Sequence, residues 1–292
     1  MSQFNIPVPP DMVFPQTPQT LAEIVLWTVV VGFVVYALRE WRRTGSSLAL
    51  VLLAGGGIAL LNEPLDDILG LVHHPRPGQH VVFETMGPIP HWGLPTYIIF
   101  FGGISYVLLV ELRKLKFTPR AFWIGIAITF VLDLLIELPL LHFGLYTYFG
   151  YDEVPMSIGG FPVYWLFINT TGPILCAAIM FAAPGYFTGW RAPLVLFLPL
   201  VTDTACSAAV GLPVYNALHT PGASGWLLWG GAIASCAIGL AILDGLARWI
   251  YAQTRSIDHR AAPSRGARRC SKSPARSRGD AARETQTASR QQ

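Results

Sequence analysis

Seven stretches of this chain are long and apolar enough to cross a bilayer, and they constrain its fold more than any other feature. A hydrocarbon core about 30 Å thick needs about 20 apolar residues in helical form. Residues 21–38, 47–69, 92–112, 121–141, 162–183, 192–211 and 225–250 meet that need. Inside lipid every backbone N–H and C=O must be bonded internally, so spans of this kind become helices. The sequence therefore predicts an all-α, polytopic membrane bundle of about seven transmembrane helices. Bulk composition agrees, with 52% hydrophobic and only 13% charged residues, where a soluble domain carries about 25% charged. The second and third spans are interrupted by polar residues, Gly or Pro, and the sixth contains Pro199 and Asp203.

Basic residues orient the spans. Arg39, Arg42 and Arg43 follow the first span; Arg113, Lys114, Lys116 and Arg120 lie between the third and fourth; Arg191 lies between the fifth and sixth. The alternate loops, 70–91, 142–161 and 212–224, hold one Arg and no Lys. Positive residues collect on the cytoplasmic side, so the N-terminus is expected outside and the C-terminus in the cytoplasm, in a multi-pass protein of the inner (plasma) membrane. Residues 1–20 then read as an extracytoplasmic N-terminal segment, without the basic start and early apolar core of a cleaved signal peptide. Residues 21–252 form the membrane domain. Residues 253–292 hold ten Lys/Arg against three Asp/Glu in a Ser/Arg/Ala-rich stretch, which cannot bury a core and is expected to be a disordered tail. Anionic lipid headgroups explain its charge more simply than nucleic acid, which is not an expected partner. Of the four cysteines, Cys176, Cys206 and Cys236 fall in apolar stretches and read as small buried hydrophobes, and Cys270 lies in the tail.

The fourth span is unusual. It contains Asp133 and Glu137 in "FVLDLLIELPLL", and an intramembrane carboxylate costs about 2.5 kcal/mol or more. At 1.5 Å per residue, Asp133 stands about 20 Å from the inner surface, and Glu137 lies one turn further out on the same face. Asn169 in the fifth span has a similar depth, and Asp203 sits near mid-membrane. The second span ends in "LNEPLDD", which places Asn62, Glu63, Asp66 and Asp67 near the outer surface, with Glu63 and Asp67 on one face. Four helices thus bring acids or amides to the outer half, and the pattern predicts a polar cavity there.

The second outer loop carries His73, His74, His80 and His91 with Glu84. Its spacing matches neither the HxxxH nor the HxxHH arrangement of membrane di-iron oxygenases, so no metal or other cofactor is expected. The "HFGLYTYFGYDEVP" segment is dense in aromatic residues that can anchor at the membrane edge, line an apolar pocket or stabilise a cation. The three lysines, Lys114, Lys116 and Lys272, all lie outside the spans, which excludes an opsin-type Schiff base. The lack of a DDxxD pair, and of Arg or Lys expected to be buried, argues against ionising a diphosphate.

Three motifs resemble a known family. "LNEPLDDILGLVHHP", "DLLIELPLLHFGLYTY" followed by "GGFPVYWLFINTTG", and "GLPVYNALHT" are similar, in order, to segments of the spirocyclase AveC-like membrane proteins. The resemblance runs from about residue 47 to 220, with Asn169-Thr170 standing where the family pattern has Asn-Glu. A more distant similarity is to carotenoid hydratases and membrane terpene cyclases. The resemblance implies spiroketal formation, in some members with dehydration, on a lipophilic polyketide- or terpenoid-like molecule.

The residues fit such chemistry without the name. Spiroketal closure, alkene hydration and terpene cyclisation all start with protonation and pass through a cation. A carboxyl group in a low-dielectric pocket can stay protonated and act as a general acid, while a second accepts a proton or stabilises the cation. Asp133 and Glu137 are the expected acid/base pair, supported by Glu63 and Asp203. Substrate contacts are expected from Asn62, Asp66, Asp67, His91, Tyr146 and Tyr148, and further from Trp165, Asn169, Tyr215 and Asn216. The alternatives are a transporter or lipid-binding membrane protein that uses the same acids, and a structural protein that needs none of them.

Overall fold

The computed structural model describes residue 9 and residues 13–114, 118–150 and 155–261, with side chains as far as Arg255. It contains seven helices long and apolar enough to span a membrane: α1 Gln16–Thr44, α2 Leu48–Gly70, α3 Gly93–Arg113, α4 Pro119–His142, α5 Val163–Ala182, α6 Gly189–Leu218 and α7 Gly225–Arg255. All seven correspond to expected spans. Two ends differ. The α1 helix starts inside the segment expected to precede the membrane, and the final helix continues through Ala261, into residues expected to belong to the tail. The rest of that tail lies outside the described residues.

The sixth span departs most from expectation. "GLPVYNALHT" was expected in a loop, yet α6 continues through Pro213 to Leu218. Proline removes one helical N–H and crowds the carbonyl four residues back. In lipid such a break persists only where neighbours meet the freed groups, and here the Ser235 hydroxyl of α7 accepts from the Val214 N–H at 3.2 Å. Tyr215 and Asn216 are therefore helical residues, Tyr215 buried and Asn216 exposed.

Two local distortions shape the helices that carry the acids. In α2, a short 3₁₀ turn at Leu60–Asn62 precedes Glu63–Gly70, with Pro64 in the first turn of the second part. In α3, a π-helical stretch at Ile98–Ile104 joins two α-helical parts, a wide turn of the kind often found near functional sites. The two helices meet backbone to backbone. A Cβ on Gly56 would come within 2.6 Å of the Gly102 nitrogen, and one on Gly102 would come within 2.6 Å of the Leu52 carbonyl oxygen. Small residues allow this approach where lipid gives helices no hydrophobic reason to associate. The contact sets the outer part of α3 beside the acidic end of α2.

The α5 helix is buried along most of its length, whereas α1 and α4 lie at the periphery. Leu135, Ile128 and Val131 of α4 are exposed to the lipid side, and Asp133 on the opposite face is only 2% exposed. The predicted inner half is closed by an apolar cluster that includes Leu52, Leu109, Ile174 and Cys176. At the predicted outer end, short strands tie the loops together. Strand β1 (Val72–His73) pairs antiparallel with β4 (Thr147–Tyr148), matching Val72 with Tyr148. Between them β2 (Val81–Glu84) pairs with β3 (Pro88–Pro90), and β5 (Ser157–Ile158) with β6 (Phe161–Pro162) further on. Leu71, buried and in the left-handed region at φ 55°, ends α2 and turns the chain into β1. The β1–β4 pairing then holds His74 and Tyr146 together, with their rings 5.9 Å apart.

Candidate functional site

The outer halves of α2, α3, α4 and α5, capped by the β1 and β4 loops, line a cleft with a cavity volume of about 80 Å³. Five carboxyl groups line it: Glu63, Asp66 and Asp67 from α2, and Asp133 and Glu137 from α4. Among the described residues, no Lys or Arg lines it. Aromatic rings form most of the remaining wall, among them Trp92, Tyr97, Tyr146, Tyr148 and Trp165.

The acids fall into separate hydrogen-bonded groups. On the α4 side, the Asn169 Nδ2 donates to both oxygens of Asp133 at 3.2 Å. The depth argument placed these two residues level, and they touch. One turn outward, the Tyr146 hydroxyl donates to Glu137 Oε2. Tyr146 and Tyr148 lie in the loop, and burial raises both phenols well above the ordinary tyrosine range; the nearby Glu137 carboxylate adds to the effect. Both therefore remain neutral hydroxyl donors at any physiological pH.

On the α2 side, Tyr97 donates to Glu63 Oε2 at 2.5 Å. His74 reaches in from the loop, with Nε2 3.3 Å from Asp67 Oδ1 and 3.9 Å from Glu63 Oε1. Behind the cleft, α2 and α6 are joined by a polar network. The Asn62 Nδ2 donates to Asp66 Oδ2 at 2.8 Å and to Asp203 Oδ2 at 3.1 Å. Asn62 Oδ1 accepts from Thr204 at 3.3 Å. The Ser207 hydroxyl donates to Asp66 Oδ1 and stands 3.2 Å from the Tyr215 hydroxyl. Asp203 reaches this position because Gly172 of α5 lets the α6 backbone approach, a Cβ there lying 3.1 Å from the Asp203 Cα.

The expected site residues are thus sorted rather than gathered. Asp133, Glu137, Glu63, Asp66, Asp67, Tyr146, Tyr148, Trp165 and Asn169 all line the cleft. Asn62, Asp203 and Tyr215 are buried in the network behind it and have no face on the cleft. His91 stands apart at the outer surface, with Nδ1 3.3 Å from Glu23 and its ring beside Trp27. Asn216 is exposed on the far side of α6. Tyr97 and His74 were not among the expected site residues. A tyrosine two residues after Pro95 in an apolar span was a signal for Tyr97. Nothing local distinguished His74 from His73, His80 and His91, because only the turn at Leu71 decides which imidazole points inward.

Comparison of the chain with protein-family models, curated proteins and solved structures finds no match.

Proposed function

We propose that the protein is a membrane enzyme that cyclises or dehydrates a lipophilic small molecule, of polyketide or terpenoid type, by acid–base catalysis at the outer cleft. One observation carries the reading: Asp133 and Glu137 stand one turn apart on α4 and open into the same aromatic-walled cleft, which no Lys or Arg lines among the described residues. Aromatic faces suit an apolar substrate and a cationic intermediate, and two carboxyl groups supply an acid and a base.

For spiroketal closure the step balances without redox. With one proton between them, the protonated carboxyl donates to a hemiketal hydroxyl, and the C–O bond breaks as water leaves. A second substrate hydroxyl attacks the resulting oxocarbenium carbon, a new C–O bond forms, and the hydroxyl proton passes to the other carboxylate. Asn169 orients Asp133, and Tyr146 orients Glu137. Glu63 borders the same space from α2, and Asp203 acts through Asn62 to position that helix. The resemblance of the three sequence motifs to spirocyclase AveC-like proteins points to the same reaction class.

A transport role would use the same acids. It also needs a path to the other side, and about three turns inward of Glu63 along α2 the helices close on apolar side chains such as Leu52.

The test is lipid-extract mass spectrometry of a strain lacking the gene, complemented with wild type, Asp133→Asn or Glu137→Gln. The wild type should restore a product that is isomeric with, or one water lighter than, an accumulated precursor, and the variants should not. Variants that insert normally and restore the product fully would defeat the assignment.

A further inference from the structure

The α2 side of the cleft has a geometry that acid–base catalysis does not use. Glu63 and Asp67, one turn apart on α2, and His74 from the loop each present one ligand atom, and the three atoms lie within 4.8 Å of one another. The measured edges from His74 Nε2 are 3.3 Å to Asp67 and 3.9 Å to Glu63. Ligands at about 2.0–2.2 Å from a tetrahedral ion stand about 3.3–3.6 Å apart, so small side-chain movements would close the set around one ion.

We propose that Glu63, Asp67 and His74 form a binding site for one divalent cation of the Zn²⁺ type, with its fourth coordination position open to the cleft. Two carboxylates and one neutral imidazole balance a double positive charge and match the nitrogen and oxygen donors zinc accepts. The charge argument is independent of the distances. Glu63, Asp67 and the neighbouring Asp66 and Glu137 share a cleft that no Lys or Arg lines among the described residues, and carboxylates removed from water need a counter-charge or protons.

His74 does not supply that charge by itself. Its side chain is 3% exposed, its ring is wedged between Trp92 and Tyr146 at 5.8 and 5.9 Å, and its Nδ1 is buried without a hydrogen-bond partner among the described residues. An imidazolium would leave an unmet donor there, and a neutral ring that gives its Nε2 proton to Asp67 would leave an unmet acceptor. A ring bound to an ion through Nε2 carries its proton on Nδ1 and leaves that N–H equally unmet, so Nδ1 does not select among these states, and the atom offered to an ion is Nε2. Outer-sphere support is present on the opposite side, where the Tyr97 hydroxyl holds Glu63 Oε2 at 2.5 Å and leaves Oε1 for an ion. Such second-layer hydrogen bonds orient metal-binding carboxylates.

The inference goes beyond the acid–base reading and does not depend on it, since Asp133 and Glu137 are not ligands. The test uses the full chain purified in detergent, stripped with a chelator, and reloaded with Zn²⁺ or, as a spectroscopic probe, Co²⁺. Elemental analysis should find about one equivalent, and Co²⁺ should show the intense visible absorption of a tetrahedral site. Asp67→Asn, His74→Ala and the milder His74→Gln should each weaken binding at least tenfold, whereas His91→Ala, which removes an exposed imidazole, should not. Thermal melts identify which variants are folded, and the stoichiometry of the wild type needs no variant. Less than about a fifth of an equivalent on folded wild type, or unchanged binding in the folded Asp67 and His74 variants, would overturn the site. Both outcomes are read without turnover, so they separate from any failure of the catalytic proposal.

Discussion

Two groups of buried acids in this protein have similar composition and opposite surroundings. Asp66 at the cleft wall and Asp203 behind it are joined through Asn62, with Ser207 and Thr204 completing the set. On α4, Asp133 has one amide partner and Glu137 one phenol, and both open into the cleft. The hydrogen bonds of the first group join α2 to α6. The second lines the cleft. An intramembrane acid is therefore not functional by depth alone; what distinguishes Asp203 from Asp133 and Glu137 is whether the carboxyl group faces the cleft.

That contrast can be broken most decisively at α4. Asp133→Asn and Glu137→Gln should lower turnover by about 10²–10⁴-fold, the usual contribution of a positioned acid or base, with little change in the melting temperature of the purified protein. Asp203→Ala should do the reverse. It removes an acceptor from Asn62 and should destabilise the fold by about 1–3 kcal/mol, and the remaining folded fraction should turn over normally. If thermal melts show Asp203→Ala at wild-type stability while turnover collapses, the division between the two groups is wrong.

Tyr146→Phe should have an intermediate effect. Loss of the donor to Glu137 should reduce turnover about tenfold, equivalent to about 1.4 kcal/mol. Its ionisation adds a test of sign. Burial raises the Tyr146 and Tyr148 phenols, so the fold favours their protonated forms. Their contribution to stability is complete below about 10, the ordinary tyrosine value, and is lost as pH rises through the higher folded values. Ultraviolet titration should show late-ionising phenols, one fewer in Tyr146→Phe than in wild type. The smallest effects belong to His91→Ala and Asn216→Ala, which touch neither group and should stay within about 0.5 kcal/mol of wild type with full turnover.

The seven spans, and the level placement of Asp133 with Asn169, were legible in the chain. Both follow from sums along a single helix: enough apolar residues to match the bilayer, and 1.5 Å of rise per residue. The end of α6 was not legible. Pro213 signals a break locally, and the helix continues because Ser235, on another helix, accepts from the Val214 N–H. Asp203 was expected to support Asp133 for the same reason, since both are acids in apolar spans and only the fold leaves Asp203 without a face on the cleft.

The sequence by itself determined that this chain forms a seven-helix membrane bundle with its acids concentrated toward one end. Only the tertiary structure decided which acids share a cleft and which are spent on each other. The glycine contact between α2 and α3, the approach of α5 to α6 at Gly172, and the β1–β4 pairing that brings His74 over the cleft all join residues far apart in the chain. Hydropathy and helical rise are properties of one segment, whereas the partner of a buried carboxyl group is a property of two.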